Sequence, residues 1–188
     1  MLAMTASHAT LIRVMKTKIF LPAILVLSAG AFALVLVGCA SRPPLATVPQ
    51  VNLKQYAGKW YEVARYPNWF QRNCNQATAT YTPQDDGTIT VFNTCIAPSG
   101  KEKTISGVAT VVPGSGNAKL KVKFFGPLAG DYWIIGLDPE YKWAVVGHPS
   151  RRYLWILSRS PQLPEATYEH ILQLIRSKGY DPARLIRG

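Results

Sequence analysis

From Lys59 to Ser160 the chain is interrupted every ten or so residues by glycine, proline, aspartate or asparagine. The pieces between are rich in Val, Ile, Thr, Tyr, Phe and Trp, which suit a pleated, half-buried surface. This spacing predicts strands at 59–66, 76–83, 88–96, 103–112, 118–125, 131–138, 142–147 and 153–159. Connectors such as Gln84-Asp85-Asp86-Gly87, Pro113-Gly114-Ser115-Gly116-Asn117 and Gly147-His148-Pro149-Ser150 supply the residue types that reverse a chain. Leu120, Val122 and Phe124 alternate with Lys119, Lys121 and Lys123, so that strand has one apolar and one solvated face. Eight antiparallel strands with short links predict an all-β fold, either an up-and-down barrel or a sandwich. An eight-stranded barrel has room inside for one small ligand.

After Pro161 the period changes. Tyr168, Ile171, Leu172 and Ile175 fall at i, i+3, i+4 and i+7, which predicts an amphipathic helix. Pro164 and Glu165 suit its first turn and Gly179 its C-terminal cap. Its apolar stripe is expected to lie against the outside of the β layer.

The N-terminus has a different character. Lys16 and Lys18 precede an apolar run, Ile19 to Val37, that ends at Gly38-Cys39. A positive start, an apolar middle and a small residue before a cut are the layout of a secretory signal. The run is also long enough for an uncleaved membrane helix. The pattern around Cys39 resembles bacterial lipoproteins, which implies cleavage after Gly38 and acylation of Cys39 with diacylglycerol and palmitate. Ala40 after the cysteine, in place of aspartate, resembles lipoproteins sorted to the outer membrane. The reading is a signal peptide over 1–38, a lipidated tether over 39–50 and one domain over 51–188, facing the periplasm. Met15 is a better start than Met1, which would leave 1–14 untranslated.

The chain carries a formal net charge of +11, and about +8 of it belongs to the part after the signal. Nucleic acid is an obvious partner for such charge, but an exported domain without a basic helix or an RNP-like strand argues against it. With Cys39 assigned to lipid, Cys74 and Cys95 remain as a pair in an oxidising compartment. Counting outward from the turn at Asp85 sets them opposite each other within one residue, so a disulfide is expected; two buried free thiols are the alternative. His8, His148 and His170 are isolated in sequence, so no metal site is expected, and no cofactor is called for.

Three segments carry a family resemblance. Gly58-Lys59-Trp60-Tyr61-Glu62 resembles the Gly-x-Trp signature of the lipocalins. Gly136-Leu137-Asp138-Pro139-Glu140-Tyr141 falls where that family has its second motif, with Leu-Asp-Pro in place of Thr-Asp-Tyr. Tyr153-Leu154-Trp155-Ile156-Leu157-Ser158-Arg159 resembles the third, ending in its arginine. The resemblance spans about 51–188. It implies an eight-stranded antiparallel up-and-down lipocalin barrel with the helix packed outside. It also implies that Arg159 stacks across Trp60 as a structural latch at one end.

With that end closed, strand alternation places the other loops at an open mouth. These loops hold Arg72, Lys101, Lys103, Arg151 and Arg152, against Glu102 alone, while Asp85, Asp86, Asp138 and Glu140 sit at the sealed end. A cationic rim around an apolar cup suits an acyl chain with an anionic head. Alternation from Trp60 points Glu62, Ala64 and Tyr66 inward; alternation from Arg159 adds Leu157 and Trp155. Val122, Phe124, Tyr132, Ile134, Val91 and Val146 complete the expected ligand lining. Glu62 there needs a partner. Trp69 and Phe70 are expected at the mouth, as an apolar lip or as a cap.

Three functions fit. One is a carrier or scavenger of fatty acids or lysophospholipids at the outer membrane, serving lipid storage or maintenance. Another is a filled barrel acting as a structural or interaction lipoprotein. The last is a lipocalin-type isomerase; with both cysteines paired and no Ser–His–acid set, the protein is not expected to be an enzyme. Haem carriage is disfavoured because no histidine falls on an inward position. The sequence leaves monomer and homodimer open.

Overall fold

The computed structural model describes residues 42–188. The expectations for Cys39 and the signal segment lie outside the described residues. The described residues contain nine strands: β1 (Gly58–Arg65), β2 (Gln76–Pro83), β3 (Ile89–Ile96), β4 (Glu102–Val111), β5 (Lys119–Lys123), β6 (Gly130–Leu137), β7 (Trp143–Gly147), β8 (Leu154–Ser158) and β9 (Ile186–Arg187). Two helices accompany them, α1 (Leu53–Tyr56) and α2 (Glu165–Ser177). The first eight strands pair antiparallel in chain order, and β1 pairs with both β8 and β2. The sheet therefore closes into a barrel, which leaves no pair of long free edges. The sandwich alternative falls on that closure.

Burial sorts the apolar side chains into two layers. The inner one contains Trp60, Tyr81, Ile89, Val91, Leu120, Val122, Ile134, Val146 and Leu157. The outer one lies beneath α2 and joins Ile135, Val145, Leu154 and Ile156 to Tyr168, Ile171, Ile175 and Tyr180. The helix thus sits outside the barrel, its stripe spent on the wall. Gly136 belongs to this contact, because a Cβ there would run into the Leu174 side chain.

Two bulges decide which layer each residue joins. Pairing of β1 with β8 shifts between Glu62 and Ala64, and pairing of β6 with β7 shifts between Ile134 and Gly136. An extra residue on one strand inverts the alternation beyond it. Ala64 and Tyr66, expected to face inward, therefore lie in the outer layer at 0% and 1% exposure. Arg65 turns inward instead, opposite Trp155.

The segment expected to be a tether is strapped to the barrel. Arg151 donates to the Pro43 carbonyl, Leu45 is buried in the outer layer, and the Val48 amide donates to Ile134. Val51 is fully buried, and Asn52 caps α1 by accepting from the Lys54 and Gln55 amides. Val48, Val51, Leu53 and Tyr56 pack with Trp60 to floor the barrel.

Arg159 locks that floor. Its guanidinium lies 3.8 Å from the Trp60 ring centre. It also donates to the carbonyls of Gln55, Ala57, Lys59 and Tyr141. A lysine in its place would keep the charge but lose the planar stack and most of the fork. Arg159→Lys is expected to lower unfolding stability by about 1–3 kcal/mol, measured by urea denaturation; an unchanged midpoint would remove the latch from the account.

Candidate functional site

The site is the interior of the barrel and the rim above it. Of the expected lining, Val91, Val122, Ile134, Val146 and Leu157 are buried in the inner layer. Phe124, Tyr132 and Trp155 face the same layer and are half-buried. Gly107 helps to keep space for this wall, since a Cβ there would stand 2.7 Å from the Phe124 ring.

Near the mouth, Glu62 has the partner that its burial demands. Arg65 donates to one carboxylate oxygen at 2.6 Å and Gln71 to the other at 2.9 Å. Arg65 also donates to the carbonyls of Gln71 and Cys74. The Gln71 side-chain oxygen accepts from Asn68 at 2.7 Å and from the Trp155 indole at 3.0 Å. This network ties the loop after β1 to the wall. Arg65, Asn68 and Gln71 escaped sequence reasoning because an ordinary alternation aims Arg65 at solvent and gives the two loop amides no direction.

The same loop is fastened from below by a disulfide between Cys74 and Cys95. The expected register was off: Cys95 pairs with Ala77, and Cys74 lies before β2 in a turn whose amide donates to Gln71. The turn brings the two Cα atoms to 5.5 Å, within the usual disulfide range.

At the rim, Trp69 is 71% exposed, and Leu128 on the loop between β5 and β6 is 83% exposed, with Phe70 and Phe125 also open. Phe70 leads inward to Tyr153 at 5.9 Å, and Tyr153 stacks on Trp155 at 6.0 Å. Arg72, Lys101, Lys103 and Arg152 are exposed beside them, with Glu102 the acid among them. Arg151 is not a rim charge. It is buried, with positive φ, and donates to the carbonyls of Lys178 and Pro43. It clamps the strap and the end of α2 to the loop before β8.

At the floor, three phenols meet. The Tyr132 hydroxyl lies 2.7 Å from that of Tyr56 and 2.9 Å from that of Tyr81. Burial raises the pKa of all three above the usual 10. None of the three phenols was picked out as a cluster from sequence, because they come from three distant elements. Among the described residues, no group of His, Cys, Asp and Glu is arranged to hold a metal ion.

A closed eight-stranded barrel with an external helix, a Trp–Arg floor and an apolar interior defines the lipocalin architecture. The family model for the lipocalin-like domain matches residues 51–188, and this chain belongs to that family. It is 43% identical over 150 residues to temperature-induced lipocalin-1 of Arabidopsis thaliana, covering 75% of this chain and 80% of that one. It is 39% identical over 163 residues to outer membrane lipoprotein Blc of Escherichia coli K12, covering 85% and 92%. In three dimensions it resembles insecticyanin of the tobacco hornworm, Manduca sexta, with a TM-score of 0.65 over 79% of this chain and 85% of that one, at 23% identity; that likeness shows the fold.

Two outcomes follow from the buried polar groups. Arg65→Met strands the Glu62 carboxylate and is expected to cost about 3–5 kcal/mol, whereas Glu62→Met with Arg65→Met should cost clearly less; a double-mutant cycle in denaturant checks this, and additive losses would contradict it. The phenols titrate near pH 10 when unfolded and higher when folded. Their contribution is therefore full below about pH 10 and is lost as pH rises through the folded values. Alkaline unfolding should begin above about pH 10 and coincide with tyrosinate absorbance; phenol titration that precedes unfolding would contradict it.

Proposed function

We propose that this lipocalin is a carrier or scavenger of fatty acids or lysophospholipids, held on the periplasmic face of the outer membrane by lipid on Cys39. The observation that carries the reading is the polarity of the barrel along its axis. The floor is sealed by Trp60 and Arg159, the wall is apolar, and the rim combines exposed aromatics with Arg72, Lys101, Lys103 and Arg152. An acyl chain would lie along the wall, with its anionic head among the rim cations.

The strap adds to this. Pro43 is held by Arg151 of the loop before β8, which is a mouth loop. Pro43 lies four positions after Cys39, a reach of at most about 14 Å. A lipid at Cys39 would keep the mouth beside the bilayer and shorten the path of an escaping amphiphile. The name of the E. coli relative, an outer membrane lipoprotein, supports the same location.

The isomerase reading loses its chemical groups. Cys74 and Cys95 are joined, and both oxygens of Glu62 are engaged by Arg65 and Gln71. We read the protein as non-catalytic and without a cofactor.

Hexadecanoate or a lysophospholipid added to lipid-stripped protein is expected to change Trp155 emission saturably at one molecule per barrel. Trp155→Phe should abolish most of the signal while calorimetry still reports binding. No heat and no emission change with any amphiphile would overturn the proposal.

A further inference from the structure

The floor phenols hold more hydrogen-bonding capacity than they use. Each tyrosine hydroxyl has one proton to donate. Tyr132 joins Tyr56 and Tyr81 through two hydrogen bonds, which employ two of the three protons whichever way the bonds point. One O–H therefore finds no acceptor within the trio, and the other partners recorded among the described residues do not include these hydroxyls. Buried polar groups are as a rule paired.

A second surplus lies one step along the same wall. Asn93 pairs with Ala79 across β2 and β3, two residues from Tyr81 and on the same inward face. Diagonal neighbours of this kind are roughly 7–8 Å apart. The Asn93 side-chain oxygen is buried and has no hydrogen-bond partner. The inward face thus holds a spare phenol proton and, two residues along the sheet from Tyr81, a spare amide oxygen. Were the amide turned over, its NH2 would stand there instead, and a group able both to donate and to accept would still satisfy the pair.

The charge around the floor narrows the guest further. Arg159 sits across the Trp60 ring, with four of its five N–H donors on backbone carbonyls. Glu62 and Arg65 neutralise each other nearer the mouth. An anion at the floor would have one spare phenol donor and, as its nearby cation, Arg159, whose N–H groups are turned to backbone carbonyls, so desolvating it would be costly. A hydroxyl is neutral, donates once and accepts twice.

We infer that the Tyr56–Tyr81–Tyr132 cluster and Asn93 form a floor subsite for the neutral hydroxyl at the far end of an amphiphile, so that the barrel favours acyl chains hydroxylated at the tail. This rests on the carrier reading and specifies its ligand class: an anionic head at the rim and a hydroxyl at the floor.

The test compares hexadecanoate with ω-hydroxyhexadecanoate on lipid-stripped wild-type protein by calorimetry, and repeats the comparison for chains from decanoate to octadecanoate so that reach does not decide the result. For the chain length that fits, the hydroxy acid is expected to bind about tenfold more tightly, the effect of giving two unpaired groups a partner. A plain apolar wall would make it bind more weakly, since a hydroxyl loses its water without compensation. Equal or weaker binding at every length overturns the subsite, including the case in which the floor holds a permanent water. The variant Tyr56→Phe with Tyr81→Phe and Tyr132→Phe removes all three hydroxyls at once, leaving none of them stranded. In this variant the preference for the hydroxy acid over hexadecanoate should disappear, whatever the change in affinity for hexadecanoate itself; a preference that persists overturns the assignment. Asn93→Leu, measured in the same way, is expected to reduce the preference and decides the matter if the triple variant does not fold. Hexadecanoate binding without a hydroxyl preference defeats the subsite alone. Failure of both acids to bind the wild type defeats the carrier reading and the subsite with it.

Discussion

One extra residue in β1 organises this molecule. Before the bulge between Glu62 and Ala64, β1 faces the lumen with Trp60 and Glu62; after it, the outer face carries Ala64 and Tyr66 beneath α2. Without that inversion Arg65 would point away from the lumen and Glu62 would be a lone buried charge, a state that costs several kcal/mol or forces neutralisation. With it, the two form an ion pair 2.6 Å long inside the barrel, and the same guanidinium reaches back to the loop carrying Trp69 and Phe70. A local irregularity of the backbone thus joins wall, mouth and helix layer. The second bulge, in β6, works similarly: Ile135 and Gly136 both face outward, so that Leu137 returns to the inner layer.

This explains what could be read from the amino-acid order and what could not. The strands and α2 were legible because turn residues and the change of period mark them directly. Trp60 and Arg159 were legible through motif position, and the rim charges through simple alternation of strand direction. Ala64 and Tyr66 were misplaced because a bulge leaves the types of residue unchanged while shifting their parity. Arg151 read as a rim cation because its sequence neighbours are loop residues; its partners, the carbonyls of Pro43 and Lys178, are distant in the chain. Cys74 was displaced for a related reason, since a turn ahead of β2 has no strand register to count. The phenol trio, Asn93 and the Glu62 network combine groups from several elements, and only the closed barrel brings them together.

The interior consequently has three zones with different chemistry. The floor is neutral, with hydroxyls whose pKa is raised by burial. The middle is apolar, walled by Val122, Ile134 and Leu157. The mouth is fastened by the disulfide and the Glu62–Arg65 pair, yet its tips are aromatic and basic and exposed. For the amphiphile proposed as ligand, these zones assign chain affinity, head orientation and tail selection to separate groups of residues.

The central claim is that an acyl chain occupies the face of the sheet that contains Trp60, Val122 and Leu157. Nuclear Overhauser contacts from a carbon-13-labelled fatty acid to the methyl and aromatic protons of the domain test it most directly. The account requires contacts with Val122, Phe124, Ile134, Trp155 and Leu157, and none with Ala64, Tyr66 or Ile156. Contacts to the second group, or to α2, would show that the chain lies outside the barrel and would contradict the account.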